Sequence, residues 1–376
     1  MFCAFSSIRI NIIPYKAIFI PYLLLVIDLL LVTSAGSDIF VPMSYIVNRF
    51  VLLFSFIIII NYVYVITKDK GNLKKVENLI IKTGVFFSII ALILFVSHVF
   101  NLGDLPRTRV STSGELITST IFTFESGVQA WRAMGTFREP SILAMALILP
   151  ALVSLQRKKY ISLGFIIVPI YLTYSLGALI AIIISFVFGM LLISKNIKTL
   201  FKYLITVLIL IALIGLLTYI FGESHYLSRL DQAFSHNLEE SSRGYVYGTI
   251  EELTRKNLLF GGGIGSGAYR MGEILGLEGP VSLLSLYIST LSTAGVLGLI
   301  ILIYWLSVPI VRCYIMRNKV QNSDFFFLML ALLCFYVLYG ITFEELHVWH
   351  AVALGLLLRS LNQSAIGNDN NKPVMI

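Results

Sequence analysis

Apolar positions in this chain are gathered into long runs, and polar positions into the gaps between them. The runs reach about 20 residues, the length a helix needs to cross roughly 30 Å of hydrocarbon. They predict ten membrane-spanning helices, at about 17–35, 44–67, 79–100, 138–156, 159–175, 176–194, 200–221, 284–311, 324–343 and 346–361. The short alternating segments of a membrane β-barrel do not occur in the sequence. The stretch 159–194 is apolar for about 36 residues, too long for one crossing, and divides at Ser175-Leu176-Gly177. The predicted fold class is therefore all-α: a polytopic helix bundle forming one integral membrane domain over 1–361, with a polar, disordered tail at 362–376. Arg9 and Lys16 ahead of the first run also fit a signal peptide cleaved after Ala35. That run is long and further spans follow at once, so it reads as a retained helix.

Composition agrees with this reading. Of 376 residues, 57% are hydrophobic and 13% charged, about half the charged share of a soluble domain. Cys3, Cys313 and Cys334 fall outside the predicted outer segments, so they imply no disulfide framework. No Cys/His spacing resembles a zinc site, and no metal is expected.

Charge orients the bundle. With the N-terminus in the cytoplasm, the short inner loops carry Lys68, Lys70, Lys74 and Lys75, then Arg157, Lys158 and Lys159. Lys195, Lys198 and Lys202 follow, then Arg312, Arg317 and Lys319. Basic inner loops are what the positive-inside rule requires, and both termini then face the cytoplasm. Of the 28 Lys and Arg residues, 18 are predicted inside and 10 outside; of the 20 acids, 15 are outside. The net charge of +8 is thus inner-loop topology and no sign of nucleic-acid binding.

Residue type adds a second asymmetry. Nine of the ten outer cations are arginines (Arg49, Arg107, Arg109, Arg132, Arg138, Arg229, Arg243, Arg255 and Arg270) and the tenth is Lys256. His98, His225, His236, His347 and His350 also sit on the outer side. Arginine binds phosphate and carboxylate through a planar fork, and histidine moves protons near neutral pH. The outer face therefore reads as the working face. The plainer alternative is that the outer arginines pair with the many outer acids.

Two outer loops are long, at about 101–137 and 222–283, which suggests function or internal folding. The first leads into WRAMGTFREPSILA, residues 131–144, where Arg132, Arg138 and Glu139 stand at the mouth of a span. Charge beside hydrocarbon is costly without a partner. Glu139 precedes Pro140 and suits a helix start; alternatively it is a carboxylate acting as a base or orienting an arginine. The second loop contains Ser242-Arg243-Gly244-Tyr245, a helix-like stretch over 245–257, and LLFGGGIGSGAYR over 258–270. This glycine run lacks the Lys-Ser/Thr ending of a nucleotide loop and has no strand before it. Close backbone approach is the favoured reading, with amides cradling a diphosphate as the alternative. After the ninth span, TFEELHVWH places His347 and His350 three apart, on one face of the last helix. A capped helix with Trp349 at the interface explains the same residues. Asp28 is a lone acid inside the first span, a weak hint of proton coupling.

The order of these features resembles the O-antigen polymerase and O-antigen ligase superfamily of bacterial membrane glycosyltransferases. RAMGTFREPSILA resembles that family's Arg…Gly-x-Phe-x-Glu-Pro-Ser helix entry. YSLGALIAIII resembles its Ser-Arg-Gly-Ala helix start, with Leu176 where Arg is common. SSRGYVYGTIEELTRKNLLFGGGIGSGAY and STLSTAGVLGLI resemble its Arg-led amphipathic stretch and the helix after its large loop. The similarity covers about 130–310. The ligase branch commonly carries His-Asn about eleven residues before the glycine matching Gly295; this chain has Leu284-Ser285 there, which favours the polymerase branch.

The resemblance implies transfer of a growing glycan from its polyprenyl diphosphate to a sugar hydroxyl of a new lipid-linked repeat unit, making O-antigen, capsule or exopolysaccharide. The reaction would occur on the outer face of the cytoplasmic (inner) membrane, without metal or other cofactor. Its partners would be the lipid-linked oligosaccharide, the bilayer, a chain-length regulator and a lipid-sugar flippase. On this reading Arg132, Arg138, Arg243 and Arg270 hold diphosphate, and Glu139, His347 and His350 are the catalytic base candidates. A ligase differs in acceptor alone. A lipid-sugar flippase would carry cations through the membrane depth, and a non-enzymatic scaffold leaves the outer arginines unexplained.

Overall fold

A computed structural model of the chain describes residues 16–35, 39–100, 108–110, 116–118, 121–123, 129–137, 139–193, 246, 248–254, 257–283, 285–316, 332–333, 336 and 348–366, with isolated positions 102 and 205. Apart from 205, 332–333 and 336, the predicted spans 200–221 and 324–343 lie outside the described set, as do Arg138, Arg243, His347 and the tail beyond 366.

The described part is a helical bundle: α1 (Lys16–Ser34), α2 (Met43–Ile66), α3 (Lys70–Val99), α4 (Pro140–Gln156), α5 (Tyr160–Leu172), α6 (Leu176–Ile193), α7 (Ile250–Thr254), α8 (Ser266–Ile274), α9 (Leu286–Met316) and α10 (Val348–Ile366). Helices α2, α3 and α9 are long and apolar enough to cross a membrane by length and composition. Helices α1, α4, α5 and α10 contain shorter apolar stretches. The protein is thus a polytopic helical membrane protein. The first long loop adds two small antiparallel hairpins that the hydrophobic pattern did not predict. Strand β1 (Thr108–Val110) pairs with β2 (Leu116–Thr118), and β3 (Ile121–Thr123) with β4 (Gln129–Trp131), placing Ile121 opposite Trp131.

Small residues set the closest helix contacts. This is the expected means of packing where lipid is as apolar as the interior. On α3, Gly84, Ser88 and Ala91 form a buried stripe, and a Cβ on Gly84 would lie 2.3 Å from Pro150 Cβ on α4. Helix α4 is buried nearly all round, from Leu143 to Pro150 without a gap, so it is the central helix of this half. Helix α1 turns Tyr22, Leu25, Val26 and Leu29 inward and exposes Leu23, Leu24, Ile27 and Leu31. The i, i+3, i+4, i+7 spacing makes one inward stripe. Helix α2 packs Phe56, Ile60 and Val63 against α10, where Gly355 lets the backbones close.

Polar ties between helices sort by end, in agreement with the alternation of spans read from charge. At the predicted inner end, Arg157 grips Glu77 bidentately, Nε to Oε2 at 2.7 Å and Nη2 to Oε1 at 2.5 Å. Lys159 donates to Asn78 and Arg359 Nε to Thr67 O at 2.7 Å. Residues 67, 77, 157 and 359 thus share one end, as the charge pattern requires. Helix α3 begins nine residues before its predicted span, because Asp69 accepts from Asn72 N at 3.0 Å and caps an amphipathic Lys-rich start. The apolar stretch 159–194 divides at Thr173-Tyr174-Ser175, two residues before the expected point. Tyr174 takes φ 46° there, and Ser175 Oγ accepts from Ala178 N to start α6.

Candidate functional site

At the predicted outer end, the strap 131–139 runs from β4 into α4. Trp131 stacks on His98 at the end of α3, with ring centroids 5.2 Å apart and planes 10° apart. Ala133 N donates to Leu172 O and Arg132 Nε to Thr173 O, each at 2.9 Å. Arg132 is therefore clipped across the α5–α6 turn, its guanidinium half-buried against a backbone carbonyl. Gly135 has φ 56° and packs on Ala91. Glu139 occupies the N-cap position of α4 with extended backbone, φ −140° and ψ 147°, and Pro140 follows in the first turn. Its carboxylate does not cap that helix; Oε2 lies 3.5 Å from Ser141 Oγ. The helix-start reading of Glu139 holds for its backbone, while its side chain stays half-buried at the mouth of the span.

The glycine run makes a different structure. Helix α9 is broken at Gly295 (φ 65°, ψ −166°), nine residues after its start, or about 14 Å along the axis. A break at that depth strands backbone groups that hydrocarbon cannot satisfy. The run 258–263 supplies the missing partners. Gly262 N donates to Ser292 O at 3.0 Å and Gly263 N to Thr293 O at 2.8 Å. In return, Val296 N and Leu297 N donate to Leu258 O and Leu259 O at 2.9 and 3.2 Å. The approach needs bare glycine: a Cβ on Gly261 would lie 2.4 Å from Thr293 C. Gly261 N is held by Asn257 O, and Ile264 N by Thr33 Oγ1 on α1. With these amides engaged, the run is a backbone clip joining α1 and both halves of α9, and the diphosphate-cradle alternative lapses.

Beyond the clip, α8 carries Arg270. Its Nη1 donates to Leu253 O at 3.0 Å and caps the C-terminal end of α7. Val246, Leu253, Met271, Leu283 and Ile288 form a small core beneath these helices, so this part of the second loop has internal folding, as its length suggested. Ser285, where the ligase motif would place Asn, is buried within the same region.

His350 lies elsewhere. It is fully buried at the start of α10. Phe56, Tyr336 and Trp305 surround its ring, with centroids 5.2, 5.0 and 6.1 Å away. Of the predicted site residues, the structure thus places Arg132 and Glu139 on one strap, Arg270 on the loop core, and His350 in an aromatic cluster. Asp28 on α1 sets its carboxylate against Gly298 of α9. Its Oδ2 is buried without a hydrogen-bond partner among the described residues.

A cleft opens where α1, α2, the clip and α9 meet. It has a volume of about 130 Å³ and includes Leu25, Leu29, Tyr45, Arg49, Gly265 and Thr290 in its lining. Arg49 is the charged residue of that lining. Its Nη2 donates to Tyr45 Oη at 2.7 Å, its Cζ stands 4.9 Å above the Tyr45 ring, and Tyr45 meets Tyr269 edge-on. Sequence reasoning counted Arg49 among the outer arginines but assigned it no role. Its available signal was its place six residues inside an apolar span, where an unneeded charge is expensive.

Comparison with protein families matches residues 161–303 to the family described as O-antigen ligase. The match runs from α5 through the clip to α9 and supports the O-antigen polymerase and ligase superfamily. Comparison with curated proteins gives no match.

Proposed function

From the premise of an O-antigen ligase family segment spanning α5 to α9, we propose that the protein is a polymerase of lipid-diphosphate-linked oligosaccharide repeat units, working on the outer face of the cytoplasmic membrane. The observation that carries the polymerase over the ligase is Leu284-Ser285, where the ligase branch has His-Asn. The donor is already activated, since a lipid diphosphate is a good leaving group. The protein then has two tasks: to stabilise charge developing on the diphosphate and to take the proton of the attacking sugar hydroxyl. Fixed guanidinium donors perform the first. Arg132, Arg138, Arg243 and Arg270 fill that role, with Arg132 pre-positioned by Thr173 O. Glu139, His347 and His350 are the candidates for the second, and the half-buried Glu139 at the span mouth is the best placed of the described two. No metal ion or nucleotide sugar enters the scheme.

Complementation tests these roles. In a strain lacking the protein, Arg138→Ala and Arg243→Ala should restore no long-chain polysaccharide while remaining in the membrane at wild-type level. Long chains of normal length from both variants would remove these residues from the site. The same strain separates the ligase alternative. Loss of a polymerase leaves one repeat unit on the surface acceptor, whereas loss of a ligase leaves none.

A further inference from the structure

We infer that the turn 257–261 is a re-entrant finger, inserting Leu258, Leu259 and Phe260 among the acyl chains of the predicted outer leaflet. The inference goes beyond the polymerase reading and does not rest on it.

Three observations point to lipid. The first is the set of side chains. Gly261 N donates to Asn257 O at 2.8 Å, which closes one helical turn with Leu258, Leu259 and Phe260 at its tip. These three are 54%, 57% and 47% exposed. Turns in water favour Gly, Pro, Asn, Asp and Ser, and a contiguous exposed apolar patch marks a contact surface.

The second is depth. Val296 N and Leu297 N donate to Leu258 O and Leu259 O, so the turn lies level with residues 296–297 of α9. Arg312, predicted at the inner boundary, is 16 residues beyond Val296, about 24 Å along a helix. Helix α1 gives an independent measure. Ile264 N donates to Thr33 Oγ1, and Thr33 is 17 residues from Lys16 at the predicted inner end, about 26 Å. Both distances fall short of the roughly 30 Å of a hydrocarbon core, and helix tilt would draw both points deeper. The turn thus reaches a few ångströms into hydrocarbon, the depth at which interfacial apolar residues lodge.

The third is the backbone. Irregular chain is tolerated at that depth when its polar groups are paired within the protein. Asn257 O, Leu258 O and Leu259 O all accept hydrogen bonds, and Gly261 N, Gly262 N and Gly263 N all donate them. A turn bathed in water has no need of such pairing.

The identity of the partner follows from continuity. Leu297, Ile300, Ile303 and Tyr304 are exposed along one side of the membrane-crossing α9. The turn abuts the top of that side through Leu297. Acyl chains that cover α9 therefore reach the turn. The second predicted outer loop is then pinned to the bilayer from within, and α8 begins two residues after Ile264, at the predicted membrane surface.

Photo-cross-linking of the full-length protein, in nanodiscs of phosphatidylethanolamine and phosphatidylglycerol, tests the finger. Benzoylphenylalanine is placed at Phe260, at the exposed Ile300 of α9, or at the exposed Glu278 beyond α8, and adducts are read by mass spectrometry. Phe260 and Ile300 should both give phospholipid adducts in similar yield, and Glu278 none above background. A second arm leaves the chain unaltered. Phosphatidylethanolamine with a diazirine on one acyl chain should label 257–261 of the wild-type protein together with the exposed side of α9, and spare 276–280. Adducts from Phe260 to peptides of the same chain would mean that another segment covers the turn. A cross-linked dimer would mean that a second copy does. Absence of lipid label on 257–261 while α9 is labelled would place the turn in water. Each of these three results overturns the finger, and none bears on polymer formation.

Discussion

Single residues in this protein do work that their chemical type does not announce. Gly261 serves by lacking a side chain. With φ at 74° and the α9 backbone 2.4 Å from any Cβ, Gly261→Ala should destabilise the protein at the upper end of the roughly 1–3 kcal/mol range for overpacking, because backbone cannot step aside. Gly164→Ala, with nothing within 4 Å of its new methyl, should be neutral or stabilise α5 by up to about 1 kcal/mol. Thermal unfolding of both variants in detergent checks the pair, and equal loss from each would refute the clip. Gly261 was legible as a backbone-approach glycine, but its partner was not. Ser-Thr-Ala-Gly-Val at 292–296 looks like any small-residue helix segment. The break shows itself once the glycine run is seen supplying the missing hydrogen bonds. Arg49 was likewise legible as a charge in an apolar span and illegible as part of a cleft, because its neighbours come from three other elements.

Among the elements, positions were legible where the bilayer dictates length, and faces were not. Helices α1, α2, α4 and α6 begin and end within about two residues of the apolar runs that predicted them. Helix α3 departs because its first two turns are amphipathic and carry no apolar run. Which face of each helix turns inward could not be read, since lipid and bundle interior are both apolar. Only small residues mark contacts, as Gly84 does against Pro150. Gly84→Leu should therefore pry α3 from α4 and lower the unfolding temperature markedly. Phe86→Leu, at an exposed position on the same helix, should change it little. At the inner end, Glu77→Gln removes the charge that Arg157 grips in two places. Because Arg157 is 36% exposed, solvent screening holds the expected loss to about 1 kcal/mol. Raised salt should shrink the difference between Glu77→Gln and wild type.

At the scale of the whole molecule, the expected sidedness rests on charge and the proposed function on the family match together with the residues predicted to lie outside. The described contacts pair predicted inner ends with each other and predicted outer ends with each other, as in Arg359 with Thr67 and Arg132 with Thr173. Cysteines introduced at Thr136 and Lys158 should accordingly differ. A membrane-impermeant thiol reagent added to intact cells should label Thr136→Cys and spare Lys158→Cys until the membrane is opened; the reverse would invert the topology. The candidate site is only partly assembled by the described residues. Arg132 and Glu139 share a strap, while His350 is enclosed by Phe56, Trp305 and Tyr336. The pattern of Arg and His along the chain is the ground for expecting the working face outside. It does not show which of those residues meet, because that depends on loop packing with no periodic signature. The claim that gathers these observations is polymerisation of lipid-linked repeat units without metal. Its most direct test is the purified protein in liposomes, supplied with its host's lipid-diphosphate-linked repeat unit and excess chelator. The account predicts a ladder of longer lipid-linked chains with release of lipid diphosphate. No elongation of an intact substrate, or transfer confined to a different acceptor, would contradict it.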